Sequence, residues 1–410
     1  MDATKLEALA ERVEDSLLGR FRAIDKTSAR NTARVLEAFR EHRVSEACFA
    51  GTTGYGYDDL GRETLEKIYA QVFGAEAALV RTNFVNGTHA IACALYGALG
   101  PGDKMIAVTG APYDTLRTAI TSDAFGSLAF YGVGYDQIEL AADGGPDYAE
   151  IHRVISEEKP AVAFVQRSRG YAPRRALMVE EIGQIVKTVK NANPDTAVIV
   201  DNCYGEFCQE QEPCHLGADL MVGSLIKNPG GGLAPSGGYV AGRADLVERA
   251  AERLTVPGIG GECGATMGAN RALFQGFFLA PHTVAQALKT AVFCAAMLDE
   301  LGYESYPGPL EERSDIIQTI CLGSADNLVK FCQGIQKGSP VDSFVSPVPW
   351  QMPGYDCPVV MAAGAFIQGS SVELSCDGPV REPYLGFLQG GLTYESGRVG
   401  VLCALTEMLS

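Results

Sequence analysis

The chain has 410 residues, 47% of them hydrophobic, which is enough for two or three domains with large cores. Its formal net charge of −17 predicts an acidic surface that repels phosphodiester backbones and anionic lipids, so we expect no nucleic-acid partner. No apolar run approaches the roughly 20 residues that span a bilayer, and the N-terminus does not resemble a secretory signal, so we also expect no membrane partner and a cytoplasmic location.

The first 242 residues predict a helical start and then a regular alternation of strands and helices. Two helices are predicted at 3–18 and 28–43, then a glycine- and tyrosine-rich stretch at 51–61 and a helix at 62–73. The predicted strands are AALV (77–80), KMIAV (104–108), SLAFYGV (127–133), AVAFVQ (161–166), AVIVD (197–201), DLMVGS (219–224) and GGYVAG (237–242). The predicted helices between them cover 87–98, 113–123, 147–158 and 178–191. This alternation is typical of a mainly parallel sheet with helices on both faces.

The C-terminal part has a different pattern. Residues 266–300 predict one long helix or a helix pair, and beyond about residue 300 the runs VVMAAGAFI and SVELSC mix with turn-rich segments such as SPVPWQMPGYDCP. We therefore predict an α/β fold, with a large domain built on a mainly parallel seven-stranded sheet and a smaller C-terminal α/β domain. The expected boundaries are an N-terminal helical arm at 1–55, a large domain at 56–285 and a small domain at 286–410.

Ligands of open parallel sheets bind at the carboxyl ends of the strands, so the residues that follow each strand are candidates for a site. Asp201 ends the run AVIVD, and Lys227 follows DLMVGS among apolar residues and glycines. With no acid adjacent in sequence, we expect burial to lower the pKa of Lys227 and to provide the neutral amine that attacks an aldehyde. Ser224 precedes it at a spacing suited to a phosphate contact. Taken alone, Asp201 could equally be an acid that caps the next turn, and Lys227 could be a lysine on a surface loop.

The segment NFVNGTHAI opens a helix directly after a strand and a short loop. The N–H groups of Gly87, Thr88 and His89 would cradle a phosphate at the positive end of this helix. The alternative is an ordinary helix start, capped by Asn86 or Thr88. Tyr113 opens the next predicted helix, where its ring either stacks on a flat cofactor or packs on the sheet.

The fifth strand end is the segment after AVAFVQ. Gln166 or Ser168 is predicted to contact the 3′-oxygen of a cofactor, and Arg167 or Arg169 to contact an anion. Phosphate loop, aromatic ring, strand-end acid and Ser-x-x-Lys occur in chain order along one predicted sheet. Together they predict a site for pyridoxal 5′-phosphate (PLP), whose pyridine nitrogen an acid keeps protonated.

Several longer phrases carry a family resemblance. LVRTNFVNGTHAI, FVQRSRGY, VDNCYGEF, GSLIKNPGGG, MPGYDCPVVMAAGAFIQGSSVELS and QGGLTYE are similar to the bacterial methionine gamma-lyase or cystathionine beta-lyase family proteins, also called aluminium resistance proteins. The resemblance extends from about residue 45 to the end and places the chain among the fold-type I PLP enzymes, the PLP-dependent transferase-like fold.

The resemblance implies roles for residues of the predicted site. Lys227 would form the Schiff base with PLP, Asp201 would pair with the pyridine nitrogen and Ser224 would bind the phosphate. Gly87 and Thr88 would join Ser224 at the phosphate, with Tyr113 against the ring. Two positions depart from the family pattern: Ile226 stands where a hydroxyl residue precedes the lysine, and His89 stands where methionine is usual.

The resemblance also implies residues outside the strand ends. In related lyases a tyrosine and an arginine of the neighbouring subunit complete the phosphate site, and Tyr55 or Tyr57 with Arg62 is the counterpart here. An arginine of the C-terminal domain binds the substrate carboxylate, and we expect Arg381, with Arg398 as the second candidate. A homodimer or homotetramer with shared sites follows from this resemblance.

The predicted function is a PLP-dependent carbon–sulfur lyase acting on a sulfur-containing amino acid such as cystathionine, methionine or cysteine. The free amine of Lys227 would remove the α-proton, and Tyr113 or Tyr57 would protonate the leaving thiolate. A PLP transferase or racemase is the alternative outcome, and so is a PLP-fold protein that binds without catalysis.

Two further hypotheses do not involve PLP. Cys203, Cys208, Cys214 and His215 could bind a metal, but they lack the paired Cys-x-x-Cys spacing of structural zinc sites, so no metal is expected. A nucleotide-binding regulator is disfavoured, because neither phosphate-binding glycine motif occurs. We expect most of the twelve cysteines to be reduced thiols that pack as small apolar side chains.

Overall fold

The structure is a computed structural model that describes residues 3–170, 172, 174–352 and 357–410. The turn-rich segment predicted at 346–358 therefore lies partly outside the described residues. The helices are α1 (Ala3–Glu41), α2 (Leu60–Phe73), α3 (Gly87–Ala98), α4 (Asp114–Thr121), α5 (Tyr148–Glu158), α6 (Val179–Ala192), α7 (Ala244–Leu254), α8 (Asn270–Glu300), α9 (Ala325–Lys337) and α10 (Tyr394–Met408). The strands of the first sheet are β1 (Ala77–Arg81), β2 (Lys104–Ala107), β3 (Gly134–Gln137), β4 (Val162–Gln166), β5 (Ala197–Asp201), β6 (Leu220–Ser224) and β7 (Gly238–Gly242). Those of the second sheet are β8 (Ser305–Tyr306), β9 (Ile317–Cys321), β10 (Val359–Ala363), β11 (Ser375–Pro379) and β12 (Leu385–Gln389).

The large sheet has seven strands in the order β1-β7-β6-β5-β4-β2-β3. Its strands run parallel except for β7, which pairs antiparallel with both β1 and β6. Strands β4, β5, β6 and β7 are buried along their whole length, as expected of a sheet covered on both faces. The predicted seven-stranded, mainly parallel sheet is confirmed.

The C-terminal region forms a separate five-stranded sheet, in the order β10-β11-β12-β9-β8, with antiparallel pairing throughout. Helices α9 and α10 pack against each other beside it. This confirms a smaller second α/β unit. The boundary predicted after residue 285 falls inside helix α8, which runs unbroken through Pro281, and the domain limits remain a prediction.

Two of the predictions of secondary structure were wrong, one near the N-terminus and one in the large domain. The two predicted N-terminal helices are one helix, α1, because Leu17, Ile24 and Val35 belong to a continuous buried face that packs on α8. The predicted strand at 127–133 consists of turns, because Gly126 and Gly132 adopt φ of 92° and 80°, and the strand lies instead at β3.

All twelve cysteines carry free thiols, as predicted. In the part of the chain that the structure describes, no helix is long and apolar enough to cross a membrane.

Candidate active site

A cavity of about 740 Å³ opens at the carboxyl ends of the parallel strands. Residues that follow β2, β4, β5 and β6 line it, together with the first turn of α3 and residues of the small domain. The sheet therefore brings together side chains that are distant in sequence. Of the predicted site residues, those that line this cavity are Gly87, Thr88, Tyr113, Gln166, Ser168, Arg169, Asp201, Ser224, Ile226, Lys227 and Arg381.

Lys227 lies in the turn after β6, and Nζ lies 3.8 Å from the centroid of the Tyr204 ring. The next residue, Asn228, fastens this turn to the turn after β5, because its Nδ2 donates hydrogen bonds to the carbonyls of Tyr204 and Glu206, each at 2.9 Å. The lysine is thus held opposite the end of the strand that carries Asp201.

The electrostatic environment of Lys227 differs from the expectation. Burial alone would lower the pKa of the amine, but Cys203, Tyr204 and Asp201 together raise it above its ordinary value. The predicted depression was wrong, because the turn after β5 folds an acid and polar groups against the lysine although none of them is adjacent in sequence.

Asp201 is the last residue of β5 and is buried. One carboxylate oxygen, Oδ1, accepts a hydrogen bond from the backbone N–H of Cys203 at 3.1 Å. Burial raises the pKa of Asp201, while the charge of Lys227 opposes that shift. A buried acid facing a cavity is stabilised in its charged form by a cationic partner, and a protonated pyridine nitrogen is such a partner.

Gly87 and Ser224 form a close junction between α3 and the end of β6. A Cβ atom added to Gly87 would lie 2.9 Å from Cβ of Ser224, closer than real Cβ contacts come. Only glycine lets the first turn of α3 approach the serine so closely. The junction combines a hydroxyl with the first N–H groups of a helix, which have no carbonyl partner within the helix, and this is a donor set suited to a phosphate.

Tyr113 is fixed above this junction by two hydrogen bonds. Its hydroxyl donates to Oγ1 of Thr88 at 2.9 Å, and its backbone N–H donates to Oε1 of Gln166 at 3.0 Å. Burial and the charge of Asp201 raise the pKa of the Tyr113 hydroxyl. The amide nitrogen of Gln166 donates to the carbonyl of Ser168 at 3.2 Å, so the Gln166 side chain positions the tyrosine and the strand end.

His89 does not line the cavity. Its backbone N–H donates to Oδ1 of Asn86, the N-cap of α3, at 2.9 Å, and its ring nitrogen Nδ1 accepts from the backbone of Val85 at 3.1 Å. The predicted phosphate contact through the His89 backbone is wrong for this structure, because the Asn86 cap takes that N–H group.

Tyr55, Tyr57 and Arg62 do not line the cavity of their own chain. The two tyrosine side chains are 75% and 54% exposed and stack on each other with ring centroids 5.7 Å apart. Arg62 is buried, and its guanidinium donates to the backbone carbonyls of Gly264 and Glu262 at 2.9 and 3.2 Å. Arg62 therefore holds the tyrosine-bearing loop in place, while the tyrosines are the residues that project from it.

Of the two arginines proposed for a substrate carboxylate, the structure brings only Arg381 to the cavity, from the end of β11 in the small domain. Arg398 instead forms ion pairs with Glu14 at 3.0 Å and Glu7 at 2.6 Å, both on α1. Arg398 thus connects α10 to α1. A substrate carboxylate would have to displace two acids to reach it.

Among the lining residues that were not predicted for this site are Arg174, Cys203 and Tyr204. The guanidinium of Arg174 donates to the carbonyls of Thr109 and Ser168 at 2.7 and 2.6 Å, and burial lowers its pKa to about 10. It thereby fastens together the segments that follow β2 and β4. Cys203 and Tyr204 lie two and three residues after Asp201 in VDNCYGEF, and this position beyond a strand-end acid was a signal that they face the site.

Arg167 is fully buried away from the cavity, where it pairs with Glu212 at 3.2 Å. Arg169, which lines the cavity, lies 3.7 Å from the carboxylate of Asp315. Both arginines therefore have internal acidic partners.

The residues of the metal hypothesis are each engaged separately. The thiols of Cys208 and Cys214 are hydrogen-bonded to the carbonyls of Tyr204 and Ala241, and Nδ1 of His215 accepts from the backbone of Glu212 at 3.0 Å. Within the described ranges, no group of three or more histidine, cysteine or acidic side chains is arranged to hold a metal ion.

Comparison with known proteins relates this arrangement to a family. The chain is 48% identical to the protein YnbB of Bacillus subtilis (strain 168), over 98% of this chain and 96% of that one. It is 25% identical to the L-methionine gamma-lyase of Pseudomonas deceptionensis, over 66% of this chain and 64% of that one.

Among solved structures, the chain is similar to the carbon-sulfur lyase involved in aluminum resistance from Clostridium novyi NT, with 50% identity, a TM-score of 0.95 and coverage of 98% and 96% of the two chains. The PLP-dependent protein YhfS from Escherichia coli has the same fold, with a TM-score of 0.63 at 18% identity over 93% and 97% of the two chains. The predicted fold-type I architecture is confirmed. The family model for methionine gamma-lyase matches residues 6–409, and the chain therefore belongs to the methionine gamma-lyase family.

Proposed function

We propose that the chain is a PLP-dependent carbon–sulfur lyase that acts on a sulfur-containing amino acid and holds PLP covalently on Lys227. The observation that carries the proposal is the convergence, in one cavity, of Lys227, the buried acid Asp201 and the Gly87–Ser224 junction. The family supports the chemistry, and these residues supply the groups that PLP requires.

The residues fit PLP at its aldehyde, its pyridine nitrogen and its phosphate. Nζ of Lys227 matches the aldehyde and Asp201 matches the pyridine nitrogen. The Gly87–Ser224 junction matches the phosphate, because a side chain at position 87 would fill the space that brings the helix N–H groups to the serine. When bound, PLP draws electrons away from the α-carbon of an attached amino acid and so makes its α-proton acidic.

In the reaction, Lys227 would act as the base that removes the α-proton and returns it. The side chain is suited to this because Asn228 anchors the turn that bears it, while Nζ itself points into the cavity beside Tyr204. Cys203, Tyr204 and Asp201 raise the pKa of the free amine, so Lys227 would have to give up a proton before its nitrogen attacks the aldehyde of PLP.

Tyr113 would protonate the leaving thiolate. Its hydroxyl keeps its proton throughout the neutral range, because burial and Asp201 raise its pKa. It is also hydrogen-bonded to Thr88, which holds it at the cavity wall. Tyr57 was the other candidate in the sequence, but it is exposed on the surface of its own chain and could take part only in the site of a neighbouring subunit.

Arg381 would bind the substrate carboxylate with its guanidinium, because it projects from the small domain into the cavity. A planar guanidinium matches a carboxylate with two parallel hydrogen bonds. The substrate would thus be held at one end by Arg381 and at the other by the group on Lys227.

We further propose a homodimer or homotetramer in which Tyr55 and Tyr57 reach the site of a neighbouring subunit. Two stacked and exposed aromatic side chains on a loop anchored by the buried Arg62 support this. Mixing Tyr57→Phe chains with Lys227→Ala chains tests it. Activity of the mixture above that of either variant supports a shared site, and activity no higher than the sum of the two contradicts it.

The function itself is tested by incubating the purified chain and PLP with L-cystathionine, L-methionine and L-cysteine, measuring both 2-oxo acid and thiol. Release of the two products in equal amounts is the expected result. Exchange of the α-hydrogen or inversion of configuration at the α-carbon, without thiol release, would point to the alternative, a PLP transferase or racemase. No change in any substrate would contradict the lyase assignment.

A further inference from the structure

A second cavity, of about 590 Å³, lies between helices α1 and α8 and the segment that follows β5. It shares no lining residue with the candidate active site. Its apolar wall is formed by the buried side chains of Ile24, Phe207 and Leu288. A cavity of this size accommodates a small metabolite.

The polar part of the cavity contains an arginine with unsatisfied donors. Arg313 is only 5% exposed, and its Nη2 donates to Oε1 of Gln318 at 2.6 Å and to the carbonyl of Pro307 at 3.2 Å. Its Nε and Nη1 have no hydrogen-bond partner among the described residues. Neither nitrogen has accessible surface, so a ligand in the cavity would accept from them once the guanidinium turns towards it, and that turn would relieve the cost of two buried donors without a partner.

A second guanidinium lies beside the first. Arg20 of α1 donates through Nη2 to the carbonyl of Glu311 at 2.9 Å, and its buried Nε also has no partner in the described part of the chain. Burial and then the charge of Arg169 lower the pKa of Arg313 to about 9, and Arg20 adds further repulsion. Both guanidinium groups line the same cavity and neither forms an ion pair with an acid among the described residues, so the pair is suited to a carboxylate.

The mouth of the same cavity is acidic. Glu180, Glu210 and Glu312 line it and are exposed. Glu210 pairs with Arg30 and Glu180 accepts a hydrogen bond from Gln209, whereas Glu312 adjoins Arg313 in the chain. Three carboxylates would repel a doubly charged phosphate, but they favour a ligand that also carries a positive charge.

From these three features we infer that this cavity binds a free α-amino acid as its zwitterion. The carboxylate lies between Arg20 and Arg313, the ammonium group lies beside Glu312, and an apolar side chain contacts Ile24 and Leu288. The inference does not depend on the proposed lyase activity, because none of these residues belongs to the Lys227 site.

The second cavity is also placed to affect the first. Arg313 donates to the carbonyl of Pro307, and Nη1 of Arg169 donates to the carbonyl of Tyr306 at 2.9 Å. Arg169 lines the candidate active site. The carbonyls of two adjacent residues thus accept hydrogen bonds from one arginine of each cavity.

The test is calorimetric titration of the full-length chain, reconstituted with PLP, with L-leucine. Leucine has an apolar side chain and no β- or γ-leaving group, so it is not consumed by elimination. Any PLP is first fixed on Lys227 by borohydride reduction, so that the amine of leucine cannot condense with its aldehyde. The titration is repeated with Arg20→Met, because Arg20 is only half-buried on α1 and its replacement leaves the core intact. We expect one leucine per chain in the reduced wild-type protein and at least tenfold weaker binding once Arg20 is replaced.

Two further titrations separate the parts of the inference. Glu312→Gln is expected to weaken leucine binding severalfold, and 4-methylpentanoate, which is leucine without its amino group, is expected to bind at least tenfold more weakly than leucine. Absence of leucine binding in the reduced wild-type protein, or equal binding with Arg20→Met, would overturn the site. Equal binding of 4-methylpentanoate would overturn its assignment to an amino acid.

Discussion

Nζ of Lys227 lies 3.8 Å above the ring of Tyr204, and the two residues are joined through Asn228, whose side chain donates to the Tyr204 carbonyl. Tyr204 adopts a left-handed conformation, with φ of 71°, at the turn that follows Asp201. The lysine and the acid therefore occupy fixed relative positions although they lie on different strands.

Replacing Gly87 with alanine is expected to weaken PLP binding by about tenfold or more, since the new Cβ would lie 2.9 Å from Cβ of Ser224 and would separate α3 from β6. PLP affinity is measured by titrating the cofactor-free protein. Gly19→Ala is the control, because a Cβ at that position of α1 meets no atom within 4 Å. Gly19→Ala should leave PLP affinity unchanged and stabilise the chain by about 0.5–1 kcal/mol. Unchanged affinity in Gly87→Ala would exclude a phosphate from this junction.

Replacing Asp201 with asparagine is expected to lower kcat by roughly 100-fold, because the pyridine nitrogen would lose the anion that keeps it protonated. The PLP content should remain close to one per chain, since Lys227 and the phosphate junction are unchanged. Asp136→Asn, at a carboxylate that is 54% exposed, is the control and should have wild-type kcat. A wild-type kcat in Asp201→Asn would show that this acid does not act on the cofactor.

Replacing Arg381 with methionine is expected to raise KM for the amino-acid substrate by about 10- to 100-fold with a smaller effect on kcat, because a charge-assisted hydrogen-bonded pair with the carboxylate is lost. The matched control is Arg398→Met. Arg398 pairs with Glu7 and Glu14, so its loss should lower the melting temperature while KM stays unchanged. If KM rises in Arg398→Met and not in Arg381→Met, the two assignments are reversed.

The stability of the chain is expected to fall as pH rises between about 5 and 8, in part through Glu206. This residue is fully buried, and burial raises its pKa to about 8, while the Tyr239 hydroxyl donates to it at 2.7 Å. Because its pKa in the folded chain exceeds the pKa of about 4.3 expected in the unfolded chain, the folded chain binds the extra proton. Glu206 therefore contributes its full stabilisation below its pKa in the unfolded chain, and this stabilisation is lost as the pH rises through its pKa in the folded chain.

Urea unfolding at pH 5.5 and 7.5 measures this contribution. In Glu206→Gln the new side chain still accepts from Tyr239 but cannot ionise. The free energy of unfolding of this variant should therefore fall less between pH 5.5 and 7.5 than that of wild type, by roughly 2 kcal/mol. The control is Glu63→Gln, at a side chain that is 47% exposed, which should follow the wild-type dependence. An identical pH dependence in wild type and Glu206→Gln would contradict the assignment.

Much of the site could be predicted from the sequence because a parallel sheet places its strand ends together. Asp201, Ser224 and Lys227 each follow a short apolar run, and the cavity lies where those runs end. Gly87 and Tyr113 follow the same rule. Once the strands were identified, their convergence required no knowledge of long-range contacts.

What could not be predicted depends on contacts between distant segments. The choice between Arg381 and Arg398 was open because the acids that occupy Arg398 lie on α1, almost the whole chain away. The raised pKa of Lys227 arises from a turn that sequence adjacency does not reveal. His89 was misassigned because the Asn86 side chain accepts the hydrogen bond from its backbone N–H. The sequence pattern alone did not decide between a phosphate and an Asn86 cap as the partner of that N–H group.

Attachment of PLP to Lys227 is tested most directly by the visible absorption spectrum of the purified protein with PLP, recorded beside that of Lys227→Ala. We expect a yellow protein that, after borohydride reduction and digestion, yields a peptide carrying the reduced cofactor on Lys227. The Lys227→Ala protein should yield no such peptide. A colourless chain that takes up no PLP, or a modified lysine at another position, would contradict attachment at Lys227.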